Sequence, residues 1–568
     1  MPKLMLGNKA VARGLYEAGC GFVSSYPGTP STEITEEATK FDEIYTEWAS
    51  NEKVAMEAAF GASLAGKRSF CGMKHVGLNV AADPLFTLSY TGINAGMVIC
   101  VADDPGMHSS QNEQDSRYYA MATSIPMLEP SDSQEALDYT KAAYELSEKY
   151  DTPVLVKMCT RVSHTQTMVE TGDRVEHKCD FQMDAQKYVM VPAMAKRRHP
   201  FVVERREKLS NIADFNKVES GSDNSRGFIC DLTSYQYVKE VFGDKHPVLK
   251  IGMVYPLAQE QIIDFSKTVD ELIVVEELAP FIETKVKAFG IDCIGKGKLP
   301  EIDELSQRTV AISLGVDVAK GKAFSEDVPP RPPSLCSGCP HRGLFYVLKK
   351  LKTYVFGDIG CYTLGMQAPL GSLHTALCMG ASVSGLHGFA KCSDENAVAV
   401  IGDSTFIHSG MTGLTDISYN KSNATVIILD NSITGMTGHQ NNPANGLNIK
   451  GEPAGKVDLE AFVKSIGINR VRVVDPYNLA ETEAAIKSEI AVDEPSVIIS
   501  RRPCVLLKNV KTPGPISVNA DKCIGCKSCM RIGCPSITMD DGKAKIDQAL
   551  CVGCGLCKQM CKVGAFDD

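Results

Sequence analysis

The chain has 568 residues, room for about four domains. Apolar residues make up 44%, enough for large buried cores and far from the composition of a disordered chain. The net charge of −10 is spread without a long basic run, which argues against nucleic acid or an anionic membrane as a main partner.

Residues 1–170 alternate strand-like and helix-like stretches. Residues 19–26 read as a short strand entering the turn Pro27-Gly28-Thr29-Pro30, and Ser31 as the N-cap of a helix with Glu33 and Glu36 early in it. Residues 97–102 and 153–158 read as buried strands, so the block is expected to be an α/β layered domain. Residues 171–226 turn polar, with the basic run Lys196-Arg197-Arg198-His199, and read as a connector with little structure of its own. Residues 227–323 read as a smaller α/β unit with strands over 248–253 and 271–277. Pro329-Pro330-Arg331-Pro332-Pro333 is expected to be a stiff, extended linker. A second large α/β block follows over 330–510. Its runs 397–401 and 425–429 are almost wholly apolar, as parallel strands covered on both faces should be. Residues 516–568 form a cysteine-rich module.

The first twelve residues lack the long apolar core of a signal peptide, and no apolar run reaches membrane-spanning length. A cytoplasmic protein is expected, where thiols stay reduced and patterned cysteines indicate metal rather than disulfides. Of the 21 cysteines, twelve fall into patterned groups, and the others sit mostly in apolar contexts that suit packing.

The tail carries Cys523-x2-Cys526-x2-Cys529-x4-Cys534 and Cys551-x2-Cys554-x2-Cys557-x3-Cys561. This is the arrangement of a two-cluster ferredoxin, in which the fourth cysteine of each run crosses to the other cluster. One [4Fe-4S] cluster would take Cys523, Cys526, Cys529 and Cys561, and the other Cys551, Cys554, Cys557 and Cys534. Two features depart from the usual pattern: four residues rather than three precede Cys534, and Lys562 stands where proline is common after Cys561. The longer spacer makes Cys534 the least regular ligand. A zinc ribbon is the alternative, although two triplets plus two single cysteines suit cubanes better than sites of four.

Gly402-Asp403-Ser404 follows the strand over 397–401, and Asp430-Asn431 follows the strand over 425–429. Ligands of parallel sheets gather at the carboxyl ends of strands, and a carboxylate with an amide oxygen there suits a hard cation on a diphosphate. The pair resembles the Gly-Asp-Gly…Asn-Asn motif of thiamine-diphosphate enzymes, with serine in place of the third residue and aspartate in place of the first asparagine. The resemblance implies that Asp403, Asn431 and the carbonyl of Ile433 hold Mg²⁺, with Gly402, Ser404 and Thr434 about the cofactor. Residues 434–440 resemble the Thr-Gly-Gly-Gln type of loop of 2-oxoacid:ferredoxin oxidoreductases.

Other segments resemble the same superfamily. Tyr26-Pro27-Gly28-Thr29-Pro30-Ser31 is similar to its pyrimidine-domain turn, which makes Thr29 a substrate-contact candidate; a plain turn hydroxyl is the other reading. Asn51-Glu52-Lys53-Val54-Ala55 resembles the segment carrying the cofactor-activating glutamate, here Glu52. Cys336-Ser337-Gly338-Cys339, Gly357-Asp358-Ile359-Gly360-Cys361 and the strand ending at Cys504 resemble the segments that hold a proximal cluster. They imply a third [4Fe-4S] cluster on Cys336, Cys339, Cys361 and Cys504, against the reading of four ordinary thiols.

Residues 336–343, 74–84 and 103–113 resemble the indolepyruvate branch. His75, His108 and His341 lie in these segments, and each taken singly reads first as a structural histidine. The resemblance spans nearly the whole chain. It implies two thiamine-diphosphate-binding domains (pyrimidine, 1–170; pyrophosphate, 330–510), a transketolase-C-terminal-like domain (227–323) and a ferredoxin-like α+β tail. The family's small γ-type domain is missing, so a small beta subunit is the expected partner, in a heterotetramer of two large and two small subunits. The implied reaction is coenzyme A-dependent oxidative decarboxylation of aryl pyruvates by an oxygen-sensitive enzyme of an anaerobe, giving aryl-acetyl-CoA and CO2 with reduction of ferredoxin. The alternatives are the same chemistry on another 2-oxoacid, a non-oxidative thiamine-dependent decarboxylase, and a non-catalytic electron-transfer scaffold.

Overall fold

The computed structural model describes residues 2–319, 321, 328, 329 and 331–567. Pro330 of the expected linker, residues 320, 322 and 323 of the third block, and the terminal Met1 and Asp568 lie outside the described residues. The chain divides into two compact units, Met1–Phe324 and Ser325–Asp568.

The first unit is built on a seven-stranded sheet. Its order is Met253–Tyr255, Met127–Leu128, Val154–Cys159, Met97–Asp103, Ser69–Lys74, Phe22–Ser25, Tyr45–Trp48. The strands are parallel except Met253–Tyr255, which runs antiparallel to Met127–Leu128. Every residue of Ser69–Lys74, Met97–Asp103 and Val154–Cys159 is buried. Side chains alternate between the faces, as the two-residue period of a strand requires. Phe70, Val98 and Cys100 pack with Leu15, Leu137 and Tyr144 of the helices Gly7–Glu17 and Ser133–Tyr150. Cys71, Met73 and Ile99 pack with Met56 and Leu85 of Glu52–Leu64 and Ala82–Thr91.

A four-stranded sheet, ordered Leu272–Val275, Gly227–Asp231, Val248–Ile251, Lys217–Glu219, belongs to the same unit. Its Ile229, Leu249 and Ile251 join the core that holds Ile99 and Leu155. The apolar run 248–253 is two strands, not one. Gly252 divides it: a Cβ there would stand 2.1 Å from the Phe215 carbonyl oxygen, and the Gly252 N–H donates to the Asn216 side chain at 2.9 Å. The chain therefore turns and places Met253–Tyr255 in the larger sheet.

Deep in this unit, fully buried Arg117 pairs with Asp115, Asp231 and Glu276 at 2.6, 3.0 and 2.7 Å, and donates to the carbonyls of Glu277 and Ala279.

Residues 171–226 are more ordered than their composition indicates. They contain the helix Pro192–Leu209, which starts with Pro at its first position. Only Val202, Arg205 and Leu209 of this helix are buried, too few for a clear apolar stripe. Hydrogen bonds anchor it instead: Arg198 donates to the Tyr90 carbonyl and to Asp151, and Arg205 to the carbonyls of Asp151 and Ser89. The basic run Lys196–His199 thus serves partly as internal fastening, with His199 stacked on Tyr90. Ser31 precedes the helix Thr32–Ala38 but does not cap it through its side chain, because its hydroxyl donates back to the Gly28 carbonyl at 2.9 Å.

The second unit holds a six-stranded, wholly parallel sheet ordered Thr375–Ala376, Tyr354–Gly357, Ala397–Gly402, Thr425–Asp430, Ser496–Arg501, Arg470–Val474. Its cysteine-rich tail has two short antiparallel pairs, Ser517–Val518 with Phe566–Asp567 and Ile537–Asp540 with Lys543–Ile546. Among the described residues no helix is long and apolar enough to cross a membrane.

Candidate functional site

In the first unit, the Asn51 side chain accepts from the Val54 N–H at 2.9 Å and so starts the helix Glu52–Leu64. Glu52 opens that helix and is 5% exposed. Its carboxylate lies against Gly77, where an added Cβ would meet Glu52 Cγ and Oε1 at 2.6 Å. The glycine leaves the space that the carboxylate fills. Thr29 is half-buried in the loop after Phe22–Ser25.

Around this point lie the carboxyl ends of Ser69–Lys74 and Met97–Asp103. Lys74 donates to the Ser109 carbonyl at 2.6 Å, and burial lowers its ammonium pKa to about 8. His75 is pushed down to about 4 by burial and by the adjacent Lys74. Asp104 fixes the following loop by accepting from Ser109 N, Ser110 Oγ and Thr160 Oγ1. His108 pairs with Glu304 at 3.1 Å. In the second unit His341 is buried edge-on to Tyr362 and held down to about 4 by burial.

Also in the second unit, Asp403 follows the strand Ala397–Gly402 and is 2% exposed. Its Oδ1 accepts from the Ser404 N–H at 2.7 Å, and its Oδ2 has no hydrogen-bond partner. Burial and the nearby Asp430 push its carboxyl up to about 8, against backbone N–H groups of Ser404, Ser432 and Ile433 that favour the anion. Asp430 is held by Arg501 at 2.7 Å. Asn431 accepts from the Ile433 N–H at 3.3 Å. Thr434 Oγ1 donates to Ser404 Oγ at 2.8 Å, and paired backbone bonds between Thr434 and Gln440 close the loop between them. A buried carboxylate with a free oxygen, beside a second carboxylate and an amide oxygen, is a donor set that fits Mg²⁺. The helix leaving Asp403 contains a π-helical turn, Phe406–Gly410, a feature frequent at functional sites.

The four cysteines of the proposed proximal group stand beside these loops. Burial pushes the Cys361 thiol up to about 11, and Cys504 and Cys336 add to it. Cys339 is raised by burial, with Cys336 and Cys361 among its neighbours, and Cys504 by burial, with Cys336 and Asp403 acting on it. A Cβ on Gly435 would stand 3.5 Å from Cys361 Sγ, and the Cys504 N–H donates to the Asn431 carbonyl at 3.0 Å.

In the tail, Cys523, Cys526, Cys529 and Cys561 line one cavity, and Cys534, Cys551, Cys554 and Cys557 line another. The fourth cysteine of each run thus crosses to the other's cavity. The extra residue before Cys534 is absorbed by the 3₁₀ turn Ser528–Ile532 and by Gly533 at φ +67°. The N–H groups of Ala544 and Ala565 point to Cys523 Sγ and Cys561 Sγ at 3.4 and 3.3 Å, a favourable setting for thiolates. A cubane holds its thiolates farther apart than one tetrahedral ion does. Among the described residues, no three His, Cys, Asp or Glu side chains converge as a single ion would require.

Two residues have roles that sequence reasoning missed. Gly77 was visible only as part of a branch-like segment. Asp358 is fully buried and accepts from the N–H groups of Ile359, Gly380 and Ser382, which fixes the loop before Cys361 to the start of the helix Ala381–Cys392. An acidic residue after a strand gives no signal of that partner.

Three family models match the chain. Residues 13–215 match the thiamine diphosphate-binding domain of pyruvate flavodoxin/ferredoxin oxidoreductase. Residues 358–500 match the C-terminal binding domain of thiamine pyrophosphate enzymes, and 544–567 a 4Fe-4S binding domain. The chain is 40% identical to the indolepyruvate oxidoreductase subunit IorA of Pyrococcus horikoshii, over 99% of this chain and 96% of that one. The IorA subunit of Archaeoglobus fulgidus is also 40% identical, over 98% and 96%, and that of Methanothermobacter thermautotrophicus 38%, over 99% and 96%. A solved 2-oxoglutarate:ferredoxin oxidoreductase from Magnetococcus marinus is 18% identical, with a TM-score of 0.47 over 55% of this chain and 65% of that one. The chain belongs to the IorA family of indolepyruvate oxidoreductase subunits, built on thiamine-diphosphate-binding and 4Fe-4S domains.

Proposed function

We propose that this chain is the catalytic subunit of a cytoplasmic complex that oxidatively decarboxylates aryl pyruvates, indolepyruvate among them. It consumes coenzyme A, releases CO2 and an aryl-acetyl thioester, and passes two electrons, one at a time, to ferredoxin. The observation that carries this reading is the placement of Cys361 and Cys504 against the Gly435 and Asn431 backbone, beside Asp403. A group able to take single electrons would there adjoin the residues proposed for the diphosphate. A non-oxidative decarboxylase has no use for that juxtaposition.

Bound thiamine diphosphate supplies a nucleophilic carbon and an electron sink for loss of CO2. The protein's residues bind and orient. Asp403, Asn431 and the Ile433 carbonyl would hold Mg²⁺, with Gly402, Ser404 and Thr434 as the residues that would bind the diphosphate. Glu52 hydrogen-bonds a ring nitrogen of the aminopyrimidine and fixes a proton there, and its burial keeps water from competing for that bond. Thr29 contacts the oxoacid. The thiols of Cys336, Cys339, Cys361 and Cys504 hold a proximal [4Fe-4S] cluster, and the tail holds two more. The small γ-type domain comes from a separate beta subunit, two of each chain forming a heterotetramer.

The test is anaerobic purification with the small partner, an iron count, and viologen or ferredoxin reduction with coenzyme A on indolepyruvate, phenylpyruvate, pyruvate and 2-oxoglutarate. Activity on the aryl pyruvates with about twelve irons per chain is expected. A preference for pyruvate or 2-oxoglutarate would refute the aryl assignment, and about eight irons would refute the proximal cluster.

A further inference from the structure

Arg342 lies in the first turn of the helix His341–Leu351 and is 3% exposed. A cation at a helix N-terminus is opposed by the helix dipole, and a buried cation without an anion is costly. Among the described residues no carboxylate pairs with Arg342. Its N–H groups are spent on carbonyls alone: Nε on Cys336 at 2.9 Å, Nη2 on Leu335, and Nη1 on Ile532 and Gly533. Burial lowers its pKa, and the groups that oppose this are the thiols of Cys534, Cys339, Cys336 and Cys554.

Those thiols belong to two different groups. Arg342 lines the cavity of Cys534, Cys551, Cys554 and Cys557, and its bond to Cys336 reaches the proximal loop. The two are packed together around it. Ser536 Oγ donates to Ser337 Oγ at 2.6 Å, and a Cβ on Gly338 would stand 2.1 Å from Val552 Cγ2. The cavity of Cys523, Cys526, Cys529 and Cys561 has no Arg342 in its wall.

We propose that Arg342 is a positioning residue for electrons, its guanidinium wedged between the Cys336–Cys339 loop and the Cys534–Cys551–Cys554–Cys557 cage to stabilise the reduced state of both. A cubane on four thiolates is an anion and gains a further negative charge with each electron. A fixed positive charge in a low-dielectric site therefore favours the reduced form and raises the potential of whatever it touches. The step served is a one-electron exchange: the proximal cluster is oxidised, the cage is reduced, and Arg342 keeps its protons throughout. The inference rests on the iron–sulfur reading above.

The test uses the anaerobic complex as wild type, Arg342→Lys, Arg342→Gln and Arg342→Met, with iron counted and midpoint potentials read by EPR-monitored titration. The expected result is unchanged iron, with two of the three cluster potentials moved to more negative values in the neutral variants and the third unmoved. The lysine variant should lie nearer wild type. Iron-replete glutamine or methionine variants with unmoved potentials would overturn the proposal. So would a lysine variant shifted as far as the neutral ones, or loss of iron in both neutral variants, which would make Arg342 a strut for the loops. A wild-type count of about eight irons would instead remove the proximal cluster and the reading beneath the proposal. About twelve irons with unmoved potentials would remove only the role of Arg342.

Discussion

Gly77→Ala tests whether the Glu52 carboxylate must stand where the structure has it. The new Cβ would fall 2.6 Å from Glu52 Cγ and Oε1, whereas ordinary contact begins at 3.4 Å. The carboxylate must therefore retreat by about 0.8 Å, or the helix His75–Val80 must shift by as much. Overpacking of this kind costs about 1–3 kcal/mol. Alanine in a helix repays about 1 kcal/mol of that through propensity, so the net loss of stability should be small. The loss in catalysis should not be small, because a displacement near 1 Å of an orienting group costs on the order of 10²-fold in rate. The assay is the exchange rate of the thiazolium C2 proton on the reconstituted complex, read beside kcat and the melting temperature. Exchange slowed about 100-fold in a protein that melts near wild type is the expected result. Wild-type exchange would show that Glu52 activates nothing from this position.

The other predictions follow from single contacts. Asp403→Asn should abolish Mg²⁺-dependent thiamine diphosphate binding, measured by calorimetry. It should also alter the pH dependence of the metal-free protein. The folded carboxyl is raised from its ordinary 3.8 to about 8, so the folded state holds a proton that the unfolded state has lost, and this site's contribution to stability falls as pH rises between those values. The metal-free variant should therefore melt above metal-free wild type at pH 8, with the gap closing towards pH 4. Equal melting at pH 8 would refute the burial argument. Cys534→Ser should lose about four irons per chain, and an unchanged count would place the fourth ligand elsewhere. Arg117→Met leaves Asp115, Asp231 and Glu276 without their cation and should destabilise the first unit by about 3–5 kcal/mol in chemical denaturation; a loss under 1 kcal/mol would refute that account.

The sequence made visible whatever depends on neighbours along the chain. The strands Ala397–Gly402 and Thr425–Asp430 showed as apolar runs because both their faces are covered, and the loops at their carboxyl ends then drew attention to Asp403 and Asn431. Cysteine spacing showed the tail groups for the same local reason. What stayed hidden depends on distant partners. Gly77 is constrained by Glu52, 25 residues earlier, and Gly252 by the Phe215 carbonyl, so neither shows its reason in its own segment. The helix Pro192–Leu209 is fastened by arginines to Asp151 and Ser89, and that fastening leaves a polar composition easily read as a connector. Ser31 had the right residue type for a cap, but the turn before it offered the Gly28 carbonyl as a nearer partner.

The exchange of fourth cysteines in the tail has a consequence for how the module is made. Each cavity takes three walls from one run and one from the other. Neither can be completed by a contiguous stretch of polypeptide. Synthesis must pass Cys561 before the earlier run has its full complement, so that cage closes only when nearly the whole module has been made. Damage to one sulfur, at Cys534 or at Cys561, opens the cage of the opposite run as well as loosening its own.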